Sequence, residues 1–445
     1  MKKLKLLTTI LLATTVTMTL MVGCGGAGNE EKVVSDDGKN KEVEITWWNF
    51  PNFEVVDGQV GKYEEELIKT FEEKNPNIKV NVEMISFNNG SEKLNAAIAS
   101  KSAPDVLYDA PGRIIDYARQ GVLAPVDDMI KELNGDVSDS ILAGTKLDDT
   151  HYMYPFNTTN FMMAANKTMF EEAGILDLLP LDKEDRLWTI EEFEAALKGI
   201  KEAKPEVIPM AFFSKSTAGD QGTRAFVSNI YGGSVMNKDQ SAYTFDQEPT
   251  VKAMEWVKNS IATGLIGAGS EALASSDSID LFLQQNSAFT ILYSTGLLKS
   301  NQDKKVGEFE EVLLPIPSPG KDKLALEALI GGLCIFDNGD QDKIDASKTF
   351  IDFLANDPDY QKKNLVATGT FSVRDSVKNL YDNEEMKFAE GMGKYTAQYY
   401  NTVNGFAEMR THWFPALQEI TLGQTEAKDA LKNFNDKANE TLKKK

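Results

Sequence analysis

The sequence predicts an α/β fold, a mostly parallel sheet covered by helices. Three observations carry this. Val43, Ile45 and Trp47 alternate with Glu44, Thr46 and Trp48, the period of a strand. Tyr63, Leu67, Ile68 and Phe71 then recur at helical spacing, and Asn75-Pro76 stops that helix. Ile78, Val80, Val82 and Met84 alternate as a second strand. A small-residue helix from Glu92 to Ser100, halted at Pro104, and a short strand Val106-Leu107-Tyr108 continue the order. Strand, helix, strand, helix, strand is the order of a parallel sheet with crossover helices.

The later elements fit the same class. Thr189 with Glu192 three places on is a capping box for a helix. Pro249 to Thr263 carries Val251, Met254, Val257 and Ile261 on one face and ends at Gly264, a helix with a glycine stop. Phe289 to Tyr293 and Val312-Leu313-Leu314 are apolar runs of strand length, and Gly331-Gly332 opens another strand. Ala346 to Leu354 is an amphipathic helix stopped at Asp357-Pro358, and helices fill the remainder, ending with Glu426 to Leu442.

Before the first strand the chain reads differently. Lys2, Lys3 and Lys5 precede an apolar run from Leu6 to Val22, and Gly23 sits directly before Cys24. A basic start, a short apolar core and a small residue at the cut describe a secretory signal peptide, residues 1–23. The segment resembles the lipobox of bacterial lipoproteins, in which the cysteine, here Cys24, receives a diacylglycerol and becomes the mature N-terminus. The leucine usual three places before that cysteine is Met21 here, with Leu20 one place earlier. Two acyl chains suffice for stable anchoring where one does not. Residues 25–42 lack aromatics and are rich in glycine and charge, so they form a flexible tether with a reach of about 20 to 25 Å.

Composition sets the outer bounds. The 445 residues, 42% hydrophobic and 26% charged, suit a soluble globular chain with a sizeable core, long enough for about three domains. The formal charge is -21, and losing three leader lysines makes the rest more acidic. Such a chain does not bind nucleic acid or an anionic membrane by charge; contact with the membrane is through the anchor alone. Cys24 and Cys334 are the only cysteines; acylation of Cys24 precludes a disulfide, and Cys334 lies in the apolar run Leu333 to Phe336.

Catalytic motifs are almost absent. The two histidines, His151 and His412, have no cysteine near them, so no Cys/His zinc site can be built. There is no G-x-S-x-G elbow and no G-x-x-x-x-G-K-[ST] loop. Asp337 to Asp345 is acidic but lacks the pattern of an EF-hand loop. The expectation is a protein without metal or cofactor, and not an enzyme.

The chain resembles the family 1 extracellular solute-binding proteins of ABC importers. The resemblance is carried by Ile45-Thr46-Trp47-Trp48, by Phe71-Glu72-Glu73-Lys74-Asn75-Pro76-Asn77-Ile78-Lys79-Val80 and by Ala103-Pro104-Asp105-Val106. Gln120 to Pro125, Tyr154-Pro155, Asn166-Lys167, Phe170 to Ile175 and Trp188 to Phe193 continue it in order over essentially the whole mature chain. It implies two α/β lobes, each a mostly parallel sheet flanked by helices, that close by hinge bending over a ligand. The implied lobes are 43–157 plus 327–371 and 158–326 plus 372–445. It also implies a monomeric, lipid-anchored receptor on the extracytoplasmic face of the membrane, handing a sugar or oligosaccharide to the transmembrane subunits of an ABC permease. A lipid-anchored glycoside hydrolase and a receptor for another solute, such as a polyamine, are the alternatives; the first needs two carboxylates about 5 to 9.5 Å apart.

Candidate ligand groups cluster where strands end, as they do in parallel α/β sheets. Amides, carboxylates and arginine satisfy hydroxyls, and aromatic rings cover a sugar face. Trp48, Asn49 and Phe50 close the first strand; Trp47 shares a face with Val43 and Ile45 and belongs to the core. Asp109 follows the third strand with Arg113 four residues on, a segment that lines the sugar cleft in the family. The resemblance adds Thr159 just past the first crossing, Tyr231 and Tyr293 on the second-lobe rim, and Arg410 and Trp413 on a helix that carries stacking aromatics in relatives. Trp413 is equally a core side chain. Gly331 and Gly332 let backbone approach a ligand, or mark a tight bend.

Overall fold

The computed structural model describes residues 42–443 apart from 88, 216 and 217, so the expected leader, the Cys24 anchor and the tether up to residue 41 lie outside the described residues. The first alternating run is strand β1 (Val43–Asn49), with Ile45 and Trp47 fully buried on one face. Trp47 packs edge-on against Phe350 at 5.2 Å, and Phe350 against Phe71 at 5.0 Å, so the helix Lys62–Lys74 and the helix Gln341–Asn356 cover that face. Trp48 points the opposite way, into a cluster with Phe50, Leu94, Leu107 and Tyr117.

Two sheets organise the chain. The first comprises β1, β2 (Ile78–Met84), β3 (Val106–Asp109), β4 (Tyr154–Asn160), β9 (Ala328–Ile335) and β10 (Phe371–Ser372), in the order β10-β4-β9-β3-β1-β2. The second comprises β5 (Met162–Asn166), β6 (Ile208–Ala211), β7 (Ser287–Tyr293) and β8 (Glu311–Leu314), in the order β8-β5-β7-β6. A two-stranded hairpin, Lys146–Leu147 with Thr150–His151, stands apart. Each sheet has buried apolar clusters on both faces, the largest gathering Phe193, Phe226, Phe289 and Trp413 over the second sheet. The architecture is the two-lobed α/β one.

The sheets are mixed rather than mostly parallel. Among the strands of the described residues, β1 pairs parallel with β2 and β3, and β6 with β7; the other strand pairs are antiparallel. The reason is connectivity. Only Phe161 separates β4 from β5, so the chain leaves one sheet and enters the other in a single step. It returns at β9, which enters the first sheet from the opposite end and runs against both β3 and β4.

Local signals hold where they are strong. The Thr189 hydroxyl accepts from the Glu192 N–H, and the Glu192 carboxylate accepts from the Thr189 N–H at 3.0 Å, capping the helix Ile190–Ala203. Cys334 is fully buried in β9, and burial pushes its thiol well up. Among the described residues no helix is long and apolar enough to cross a membrane.

Candidate functional site

The carboxyl ends of β1 and β3 deliver the first group of side chains. Pro111 occupies the first turn of the helix Pro111–Arg119, where its missing N–H costs nothing, so only the N-cap, Ala110, separates Asp109 from the helix. That places Arg113 one turn in and above Asp109. Arg113 Nε donates to Asp109 Oδ2 at 2.7 Å, Nη2 donates to Oδ1, and the Ala110 N–H donates to Oδ1 at 2.7 Å. The carboxylate is buried, whereas the Arg113 side chain keeps 36% of its surface. Burial disfavours the Arg113 cation, but Asp109 outweighs it and holds the guanidinium above its ordinary range. Arg113 also sits 5.3 Å over the Phe50 ring.

The opposite wall comes from the second lobe. Arg410, on the helix Phe406–Thr421, donates through Nε to both oxygens of Asp220 at 3.0 and 2.9 Å and through Nη2 at 2.7 Å. Asp220 opens the helix Asp220–Asn229 and also pairs with Arg224 one turn on. Arg224, 1% exposed, donates to Glu327 Oε2 at 3.1 Å and to the Tyr400 hydroxyl at 2.7 Å, and Tyr400 in turn donates to Glu327. Burial, with Arg224 and Arg113 close by, pushes Arg410 down to about 10, and its bonds to Asp220 oppose that shift.

The segment 396–405 joins these walls. The Ala397 N–H donates to the Leu326 carbonyl at 2.8 Å, the Leu326 N–H donates to the Tyr395 carbonyl at 2.9 Å just before the segment, and Gln240 Nε2 donates to the Tyr399 carbonyl at 2.7 Å, which fixes it to the second lobe. From the first lobe, Arg119 Nη2 donates to the Thr402 carbonyl at 2.6 Å. Gly112 lies so near that a Cβ there would be 2.7 Å from the Asn401 carbonyl oxygen. A small cavity is lined by Glu327, Ala328 and residues 397–401. Burial pushes the Tyr399 and Tyr400 phenols up, so both stay neutral donors and acceptors.

The structure therefore brings together Phe50, Asp109, Arg113 and Arg410. The other candidates lie elsewhere or are committed to the protein. Trp413 is fully buried, donates from Nε1 to Thr223 Oγ1 at 2.8 Å and packs on Phe245 at 4.7 Å; its place is the core. Tyr293 is likewise in the core, its hydroxyl donating to Glu311 at 2.8 Å. Tyr231 carries Lys252 over its ring at 4.2 Å and lies within the fields of Glu191 and Glu194, none of them at the strand ends. Asn49 is buried and donates to Glu64 at 2.8 Å, and Trp48 lies under Lys93 at 4.6 Å. Thr159 shares a hydrogen bond with Thr295 at 2.8 Å, linking β4 to a second-lobe helix. A bulge falls between Gly331 and Gly332. A Cβ at Gly331 would collide with the Tyr108 hydroxyl and Asn157, and one at Gly332 with Met153 and the Tyr154 carbonyl, so the protein's own packing requires both glycines.

Asp220, Arg224, Glu327, Tyr399 and Tyr400 were not visible as site residues. Arg224 and Tyr400, which hydrogen-bond, lie 176 residues apart along the chain, and the group meets only in three dimensions. The one local signal was Asp220 with Arg224 at helical spacing, which a surface pair also shows. Among the described residues no group of carboxylates, histidines and cysteines is arranged to hold a metal ion.

Known proteins share this architecture. A binding protein of Brucella abortus (strain 2308) is 26% identical over 390 residues, 87% of this chain and 91% of that one. The diacetylchitobiose binding protein DasA of Streptomyces coelicolor is 28% identical over 244 residues, 53% of this chain and 51% of its own length. The ABC substrate-binding protein Lmo0181 from Listeria monocytogenes, solved in complex with cycloalternan, superposes with a TM-score of 0.73 at 22% identity, over 91% of this chain and 100% of that one. The profile of one family matches residues 57–361. With its two-lobed α/β architecture, the chain belongs to that family, the bacterial extracellular solute-binding proteins.

Proposed function

We propose that this protein is a lipid-anchored, extracytoplasmic receptor that captures a neutral sugar or oligosaccharide and hands it to an ABC importer. The observation that carries the reading is the charge balance of the cleft. Three guanidinia, Arg113, Arg224 and Arg410, face three carboxylates, Asp109, Asp220 and Glu327, each engaged by an arginine. Among these six groups no charge is left over for a polyamine or a phosphate. Pre-organised guanidinium, carboxylate and phenol groups instead offer donors and acceptors side by side, which is what sugar hydroxyls need. The sugar ligands named for DasA and Lmo0181 support the same class.

In this reading the lobes 43–157 plus 327–371 and 158–326 plus 372–445 close on the ligand, and the closed form docks on the permease. Ligand shifts the open–closed equilibrium only by its preference for the closed form. A thermal-shift screen against a sugar library tests it, since a ligand at 100 times its dissociation constant adds about 2.7 kcal/mol. Stabilisation by spermidine or glycerophosphocholine and by no sugar would overturn it. Cys24→Ser tests the anchor: the variant should leave the detergent phase for the aqueous one, and equal partition of both forms would remove the anchor.

A further inference from the structure

The carboxyl ends of three neighbouring strands lie in a row. Asp109 ends β3, Phe50 follows β1, and Phe87 stands three residues beyond β2. The side chains follow the same order: the Arg113 guanidinium is 5.3 Å from the Phe50 ring, and Phe50 stacks on Phe87 at 5.1 Å with the planes 10° apart. Phe50 is 2% exposed and Phe87 is 61% exposed, the most open large hydrophobic side chain among the described residues. A single exposed apolar residue is ordinary on a protein surface. This one is different because it is supported. One face rests on a buried ring that itself touches a cleft arginine, and Phe50 is in turn backed by the helix Gly90–Ala99, where a Cβ at Gly90 would be 2.6 Å from the Phe50 ring.

We infer that Phe87 is an outer stacking platform of the binding site, and that the ligand is therefore an oligosaccharide running from the Asp109–Arg113 pair out along the strand ends; this rests on the sugar-receptor reading above. A phenyl ring covers the C–H face of a pyranose without reading its hydroxyls, so it rewards chain length rather than sugar identity. One pyranose seated at Asp109 and Arg113 does not reach past Phe50 to Phe87; a chain of two or three units does.

The test is calorimetric titration of the wild type, Phe87→Ala and Phe87→Trp with the gluco-, cello- and N-acetylglucosamine series, each from one to five units. Wild-type affinity should rise with length and then level off. Phe87→Ala should lose about five- to tenfold with the longer members of the bound series and nothing with its monosaccharide. Phe87→Trp should restore the loss. Equal affinity of wild type and Phe87→Ala for the longer members overturns the platform and leaves the sugar receptor standing. An equal loss at every length also overturns it. Failure of every sugar to bind the wild type overturns both readings.

Discussion

Arg224 and Glu327, 103 residues apart in the chain, meet in the interior, the guanidinium donating to the carboxylate at 3.1 Å. The bond ties the helix Asp220–Asn229 to the residue that leads into β9, and Tyr400 closes the triangle. Removing one partner of such a pair strands a buried charge. Arg224→Leu should lower the unfolding free energy by about 3 to 5 kcal/mol in a urea titration. Glu327→Gln, which keeps an acceptor in place, should cost less. A loss under about 1 kcal/mol for Arg224→Leu, the worth of an exposed pair, would mean that water reaches the pair.

Asp109→Ala separates binding from folding. The buried carboxylate accepts from Arg113 and from the Ala110 N–H. Losing a charge-assisted hydrogen bond to a sugar hydroxyl should weaken binding roughly ten- to a hundredfold. Stability should fall by no more than about 2 kcal/mol, because the half-exposed Arg113 can turn to water. Calorimetry beside thermal melts reads both, and full affinity in a well-folded variant would take Asp109 out of the site.

Trp413→Ala should do the reverse. The indole is fully buried between Phe245 and Phe434 and bonded to Thr223. Truncation should cost about 3 to 5 kcal/mol of stability, while the folded fraction binds sugar with unchanged affinity. A fall in affinity with stability intact would put the ring on the ligand.

Asp136 gives a pH signature. Burial works against its charge, yet hydrogen bonds from Ser376 and Arg374 outweigh burial and hold the carboxyl below its ordinary range. A carboxyl depressed in the folded state adds stability that is complete above its unfolded value of about 3.9 and is lost as pH falls through the lower folded value. Asp136→Asn should therefore flatten the acid limb of the stability curve below about pH 4 and leave its slope at neutral pH unchanged. Parallel acid limbs in both proteins would contradict this.

What was legible in the sequence was local. Period-two runs located β1 and β2, the capping box started its helix on the right residue, and strand-end logic singled out Asp109 and Arg113, which pair with each other within one helical turn. Strand direction was not legible, since alternation reads the same both ways; β4, β9 and β10 therefore pair antiparallel where a parallel sheet was expected. Gly331-Gly332 announced a close approach but not its partner, which proved to be Tyr108, Asn157 and Met153. Arg410 and Trp413 stand three apart on one helix, so spacing alone could not separate the residue beside Asp220 from the one in the core. The Arg224 network was invisible because each bond joins distant parts of the chain.

The most direct test of the central claim is the salt dependence of sugar binding, measured by calorimetry at low and high ionic strength. A neutral ligand in a charge-balanced cleft of a strongly acidic protein should bind at one site per chain, with an affinity that hardly changes as salt is raised. Heat from no neutral sugar, together with binding of a cation or anion that weakens steeply with salt, would contradict it.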